Sequence, residues 1–256
     1  MSKELDWLLE KATGLSSTEI RLRNITLETL KPCAKEKFLN MLEQRKNHVP
    51  LQYILEQWEF MGLPINCRPG VLIPRFDTEV LVEAAIKFLK DYKTSSVLDL
   101  CTGSGCIAIS LAHFCNADVS AVDISPIALE LARENAQLNN LKIKFIQSDL
   151  FEKVKGKFDC ITVNPPYIPS DEIKYLQKEV QQEPALALDG GVDGLDFYRA
   201  IISNCREYMN EGAAIFLEIG SNQAQDVADM LHKFKNIRII NDLENRNRVV
   251  CAQKGI

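Results

Sequence analysis

The chain has 256 residues and a formal net charge of −5, with 46% hydrophobic and 25% charged residues. That length carries one large domain or a core domain with a small appendage, and core burial is not limiting. An acidic balance excludes a broad basic field for holding a polyanion, so direct nucleic-acid binding is not expected.

The eight cysteines, at 33, 67, 101, 106, 115, 160, 205 and 251, form no C-x-x-C pair and no His-rich cluster, so no metal site is expected. Most lie in apolar stretches, as buried thiols of a reducing cytosol do. Met1 to Asp6 lacks the apolar core of a signal peptide, and no apolar run reaches the length of a membrane span. A soluble, cytoplasmic protein without membrane contact is the expectation.

Leu5, Leu8, Leu9 and Ala12 fall at helical spacing before the stop signal Gly14, and Phe38, Met41 and Leu42 mark a second helix ending in Glu43 to Asn47. Residues 1–48 therefore read as a small helical domain. Val49 to Ile54 and Trp58 to Ile65, with Pro69, Gly70 and Pro74 behind them, read as a hairpin or pair of short strands. This connector spans 49–73, and the remainder, 74–256, forms the main domain.

A helix is predicted over Thr78 to Tyr92, after which strand and helix alternate. Strands are expected at 96–100, 118–122, 143–147, 158–163, 213–219, around 237–240 and at 249–252. Helices are expected at 104–114, 126–138, about 171–182, 196–209 and 222–234. Continuous apolar strands such as Ile161-Thr162-Val163, separated by helices, imply a parallel sheet covered on both faces. The last two strands, joined by the short polar segment Asn241 to Asn247, form an antiparallel edge. The fold class is thus α/β, a doubly wound and mostly parallel seven-stranded sheet, which binds ligands at the carboxyl ends of its strands.

The first motif runs from Val97-Leu98-Asp99-Leu100 through Cys101-Thr102-Gly103-Ser104-Gly105 into a helix. Gly103 and Gly105 bring backbone close to a ligand at a helix N-terminus, where amide groups are unpaired. Asp123 closes the next strand, where an acid can accept both hydroxyls of a ribose. Gly103, Gly105 and Ala108 also satisfy the dinucleotide pattern G-x-G-x-x-A, so the turn alone says only adenosine. Asp99 beneath the turn, able to orient the loop and meet a cationic methionine moiety directly or through water, favours S-adenosylmethionine. So does Asp149, near an adenine edge, although a helix cap is its competing reading. Leu150 then walls the adenine.

The second motif, Asn164-Pro165-Pro166-Tyr167, follows the fourth strand of this sheet. Two prolines fix the backbone and remove two donors, leaving carbonyl oxygens free. The Asn164 side-chain oxygen and the Pro165 carbonyl can each accept one N–H of a planar amide or amine, and Tyr167 offers it a flat face. Holding both hydrogens favours the lone pair of a poor nucleophile. A strand-terminating turn is the plainer alternative.

The sequence resembles the peptide-chain-release-factor glutamine N5-methyltransferases over nearly its whole length. Besides the two motifs, the likeness rests on Pro50-Leu51-Gln52-Tyr53-Ile54, Leu72 to Glu79, Glu183 to Leu195, Tyr198-Arg199, Glu218-Ile219-Gly220 and Arg248-Val249-Val250. The resemblance implies a class I fold, S-adenosylmethionine as cofactor, and the Gly-Gly-Gln glutamine of class-1 release factors as substrate. It also implies a cofactor loop at Cys101 to Gly105, a ribose acid at Asp123, adenine neighbours at Asp149 and Leu150, and a glutamine clamp at Asn164 to Tyr167. Methylation of a nucleic-acid base or a ribosomal-protein glutamine, and a non-catalytic cofactor sensor, are the competing functions. Cys101, Glu56 and Glu244 stand where the family usually has Gly, which bears on local turns. Arg75 and Glu79 have two even readings, a place at the site's mouth or a surface ion pair at helical spacing.

Overall fold

The computed structural model describes residues 3–255; the expected domain ends Met1 and Ile256, and Ser2, lie outside them. Helices α1 (Lys3–Thr13), α2 (Ser17–Leu22) and α3 (Pro32–Lys46) open the chain. Buried Leu8, Leu9, Ile20, Phe38 and Met41 form their common core. The short α2 escaped the periodicity reading, yet its signal is local. Ser16 accepts from the Glu19 N–H while the Glu19 side chain accepts from the Ser16 N–H, a complete capping box.

Leu51-Gln52-Tyr53-Ile54, expected as strand, is instead the helix α4 (Leu51–Leu55). Tertiary contacts override its β propensity: Ile54 packs into the N-terminal core, and the Tyr53 hydroxyl donates to the Val71 carbonyl at 2.7 Å. The hairpin lies just beyond, β1 (Gln57–Phe60) paired antiparallel with β2 (Leu63–Asn66). Glu79 at the start of α5 (Glu79–Leu89) fastens it by accepting the Met61 N–H at 2.7 Å.

The remaining strands are β3 (Ser95–Leu100), β4 (Ala117–Asp123), β5 (Lys144–Gln147), β6 (Phe158–Val163), β7 (Met209–Glu218), β8 (Lys235–Asn241) and β9 (Asn247–Gln253). They form one sheet in the order β5-β4-β3-β6-β7-β9-β8. Six run the same way, β3 to β7 paired in parallel and β8 at the edge, and β9, one position in from that edge, runs antiparallel to both neighbours. Because successive strand residues face opposite sides, Leu98, Ile161 and Ile215 enter one core under α8 (Asp196–Asn204) and α9 (Ala224–Met230). Val97, Cys160 and Ala214 enter the other, with α5 and α6 (Cys106–Phe114). Helix α7 (Pro126–Leu138) follows β4, its first turn capped by the Ser125 hydroxyl.

The helix expected over 171–182 does not form. Two 3₁₀ turns, Ile173–Tyr175 and Val180–Gln182, stand there with no buried residue in either. Together with the residues that follow to Gly190, the segment is a strap held at points along its length: His48 meets Glu179 at 3.2 Å and the Gln182 side chain donates to the Asn47 carbonyl at 2.9 Å. Among the described residues no helix is long and apolar enough to cross a membrane. All eight cysteines are free, five of them buried.

Candidate active site

The sheet register sets the carboxyl ends of four strands side by side. Leu100 stands opposite Val122 and Val163, and Val163 opposite Leu217, so Cys101, Asp123, Asn164 and Glu218 share one rim. Two cavities open there. The first is lined by Cys101 to Ser104, Asp123, Ser148 to Leu150, Asn164 and Pro166. The second is lined by Asn164, Pro165, Tyr167, Phe76, Asp77 and Glu218, and Asn164, Leu72, Arg75 and Ala187 border both.

Asp99 lies behind the wall of the first cavity, fully buried. Its two oxygens accept from the Thr102 hydroxyl at 2.6 Å and the Thr162 hydroxyl at 2.8 Å, fixing the glycine loop to the sheet. Burial pushes its pKa up to about 7 against the pull of those hydroxyls. Direct contact with a ligand is thus closed to it; what it holds is the loop. Gly105 also stands off the wall, as the left-handed residue before α6 (φ 82°).

Asp123 is on the wall. Its oxygens accept the Gly103 N–H at 2.8 Å and the Ser125 N–H at 2.9 Å, which aims the carboxylate and leaves one lone pair on each oxygen for a diol. Burial raises its pKa, opposed by these backbone donors. At Gly103, φ is 54° and no atom lies within 4 Å of where a Cβ would stand, so the loop presents bare backbone to open space. Asp149, Leu150, Ile124 and Ile107 complete polar and apolar walls. This donor and acceptor set fits the S-adenosylmethionine expected from the sequence: a diol acceptor, apolar flanks for a ring and an open backbone cradle.

In the clamp, the Asn164 side-chain nitrogen donates to the Thr78 hydroxyl at 3.3 Å, which frees its oxygen for another donor. The Tyr167 carbonyl accepts from the Gln223 side chain at 2.9 Å. The strap then closes over the clamp: Ile168 N–H donates to the Leu188 carbonyl, and Gly190 N–H to the Ile168 carbonyl. A Cβ at Gly190 would meet the Tyr167 Cα at 2.7 Å, so only glycine permits this approach.

Arg75 and Glu79 do not pair with each other. Arg75 borders both cavities and forms an ion pair with Glu183, while Glu79 serves the hairpin. Buried Glu183 also accepts the Ile73 N–H at 2.9 Å, joining strap to connector. Burial pushes its pKa up, countered chiefly by Arg75. Of the three residues in usual glycine positions, Cys101 (φ 57°) and Glu56 (φ 62°) adopt the left-handed region, whereas near Glu244 that role falls to Asn245 (φ 60°).

Sequence reasoning gave no separate role to Thr78, Glu183, Gly190, Glu218, Gln223 or Arg248. Except for Gln223, their signal was present in the Leu72 to Glu79, Glu183 to Leu195, Glu218-Ile219-Gly220 and Arg248-Val249-Val250 segments, which carried family likeness but no geometry. Among the described residues, no group of three or more His, Cys, Asp or Glu is placed to hold a metal ion.

Two family models match, the PrmC N-terminal domain over residues 2–55 and the Methyltransferase small domain over residues 76–191. A release factor glutamine methyltransferase of Geobacter sulfurreducens is 41% identical, over 98% of this chain and 89% of its own. One from Moorella thermoacetica is 40% identical, over 93% of this chain and 87% of its own. Among solved structures, a methyltransferase from Pyrococcus furiosus is similar with a TM-score of 0.59 and 19% identity, over 84% of this chain and all of its own, which speaks for the fold alone.

Proposed function

The chain belongs to the release factor glutamine methyltransferase family, and from that premise we propose that it methylates the side-chain amide nitrogen (N5) of the Gly-Gly-Gln glutamine in class-1 release factors. S-adenosylmethionine is its cofactor, and supplies an electrophilic methyl group on a cationic sulfur. The observation that carries the reading is the position of Asn164 as the shared wall of two cavities, one suited to an adenosine and one holding the rest of the clamp.

In this reading Asp123 accepts from the ribose hydroxyls, Leu150 flanks the adenine and Asp149 accepts at its edge. Thr102, Gly103 and Ser104 supply the backbone cradle at Cys101, which Asp99 and Gly105 hold from behind. The target amide enters through the second cavity. Its two N–H groups are taken by the Asn164 oxygen and the Pro165 carbonyl, Pro166 keeps the loop stiff, and Tyr167 packs against the amide plane. Fixing both hydrogens orients the nitrogen toward the first cavity at little entropic cost. The strap and connector exclude water from the junction.

The helical N-terminal part and the hairpin dock the release factor, in the cytoplasm, without membrane or nucleic-acid contact. Transfer of labelled methyl from S-adenosylmethionine to a release factor, to the same factor lacking the target glutamine, to ribosomal protein and to DNA tests the reading. Label is expected in the intact factor alone. Equal labelling of the glutamine-less factor, or preferential labelling of DNA, refutes it.

A further inference from the structure

Glu218 ends β7 beside Asn164, since Leu217 stands opposite Val163 on β6. The residue is 1% exposed, and it lines the second cavity together with Asn164, Pro165 and Tyr167. Its Oε2 is buried and has no hydrogen-bond partner. A buried acceptor without a donor is costly, so its place in this cavity calls for an N–H or O–H from an occupant.

The groups facing Glu218 are few: the Thr78 and Tyr167 hydroxyls serve its carboxyl, and none donates to Oε2. Thr78 and Asp77 come from the turn before α5, Tyr167 from the clamp, Arg248 from β9, Tyr198 from α8 and Cys106 from α6. Arg248 spends its Nη2 on Asp77 at 3.0 Å and Asp242 at 3.1 Å, while its buried Nε has no partner. Tyr198 donates to the backbone carbonyl of Glu218, not to its side chain. Among the described residues, Glu218 forms no ion pair.

We propose that Glu218 receives the proton that the target amide nitrogen must lose on methylation, taking it as the methylated nitrogen becomes tetrahedral and one N–H turns away from its clamp oxygen, a role that rests on the glutamine-amide reading above. A nitrogen that gains a methyl group while keeping both hydrogens is cationic. The N–H bond breaks, its electron pair remains on nitrogen as the lone pair of the N-methyl amide, and the proton bonds Oε2 to give a neutral carboxyl. The incoming methyl comes from the sulfonium donor, whose carbon–sulfur pair stays on sulfur. Before the transfer, the same anion favours positive charge at the nitrogen, acting from a side chain that solvent barely reaches. Burial raises the Glu218 pKa to about 7, with Thr78 and Arg248 opposing it, so the group can both take and release a proton near neutrality.

The test combines kcat against pH with binding measured separately. In the full-length protein with a release factor as substrate, wild-type kcat is expected to rise with pH through about 7 as the carboxylate ionises. Glu218→Gln should lower kcat at least about tenfold and lose that rising limb. Calorimetric S-adenosylmethionine affinity and KM for the factor should stay within about threefold. Glu218→Asp, the second variant, should keep a rising limb at reduced kcat. A Gln variant with wild-type kcat and pH profile overturns the role. So does one whose cofactor affinity and melting temperature fall as far as its kcat, because that marks a structural residue. Should Glu218→Gln not fold, absence of the limb in a folded Glu218→Asp refutes the role equally. Wild-type protein that methylates no glutamine amide would defeat the function reading; wild-type transfer with an indifferent Glu218→Gln defeats only this inference.

Discussion

Replacing Gly190 by alanine perturbs the crossing of strap and clamp at one defined point. The added Cβ would stand 2.7 Å from Tyr167 Cα, 2.9 Å from Tyr167 C and 2.9 Å from Gly194 Cα. All three are backbone atoms, so no rotamer change relieves the clash. Reaching ordinary contact at 3.4 Å requires a shift of about 0.7 Å (3.4 − 2.7) in the strap or in Tyr167. Overpacking of this kind costs about 1–3 kcal/mol. With an unfolding entropy of about 2.1 cal/mol/K per residue, a chain of this size has roughly 0.5 kcal/mol/K, so the melting temperature should fall by about 2–6 °C. Displacing Tyr167 by a sizeable part of an ångström also misplaces the amide it packs against, and turnover should drop roughly 10–100-fold. Gly190 is off the wall of the first cavity, so S-adenosylmethionine affinity should change only a few-fold. Differential scanning fluorimetry, isothermal titration with cofactor and a methyl-transfer assay read the three quantities. A variant melting within about 1 °C of wild type at full turnover would refute the claim that the strap's approach holds the clamp.

Asn164→Ala should reduce turnover by orders of magnitude while cofactor affinity stays within about tenfold, roughly 1.4 kcal/mol; equal loss of both in titration and kinetics would contradict the clamp role. Asp99→Asn removes an acceptor from the Thr102 and Thr162 hydroxyls and should cost about 1 kcal/mol at pH 5. The Asp99 pKa is raised by burial from 3.8 to about 7, so its contribution is complete below about pH 4 and is lost as pH rises through about 7. The stability gap between wild type and Asp99→Asn should therefore narrow from pH 5 to 9, and parallel melting curves against pH would contradict this. Cys101→Gly, at φ 57°, relieves a left-handed side chain and should stabilise by up to about 1 kcal/mol, seen as a melting temperature higher by about 2 °C. An unchanged or lower value would count against that strain.

Strands β3, β4 and β6 were legible because apolar runs bounded by turn residues state their own length. The Cys101 to Gly105 turn and Asn164-Pro165-Pro166-Tyr167 were legible because their chemistry is contained in a few consecutive residues. Where local preference and tertiary packing disagreed, sequence reasoning failed. Leu51 to Leu55 looks like strand but winds into a helix because Ile54 is needed in the N-terminal core. Residues 171–182 carry helical spacing but bury none of it, since the strap is held at His48, Asn47 and the clamp rather than by a face of its own.

By itself, then, the sequence determined the sheet, the glycine turn, the clamp and the family likeness, all of which are encoded by residues close together in the chain. The tertiary structure decided which acids meet a ligand. Asp123 faces the cavity while Asp99 turns under the loop, although both lie near the ends of adjacent strands. It also decided that Arg75 pairs with Glu183, 108 residues away, and that Glu218 stands beside Asn164. Such pairings follow from sheet order and register, which depend on how every strand packs at once, and no short stretch of residues carries that information.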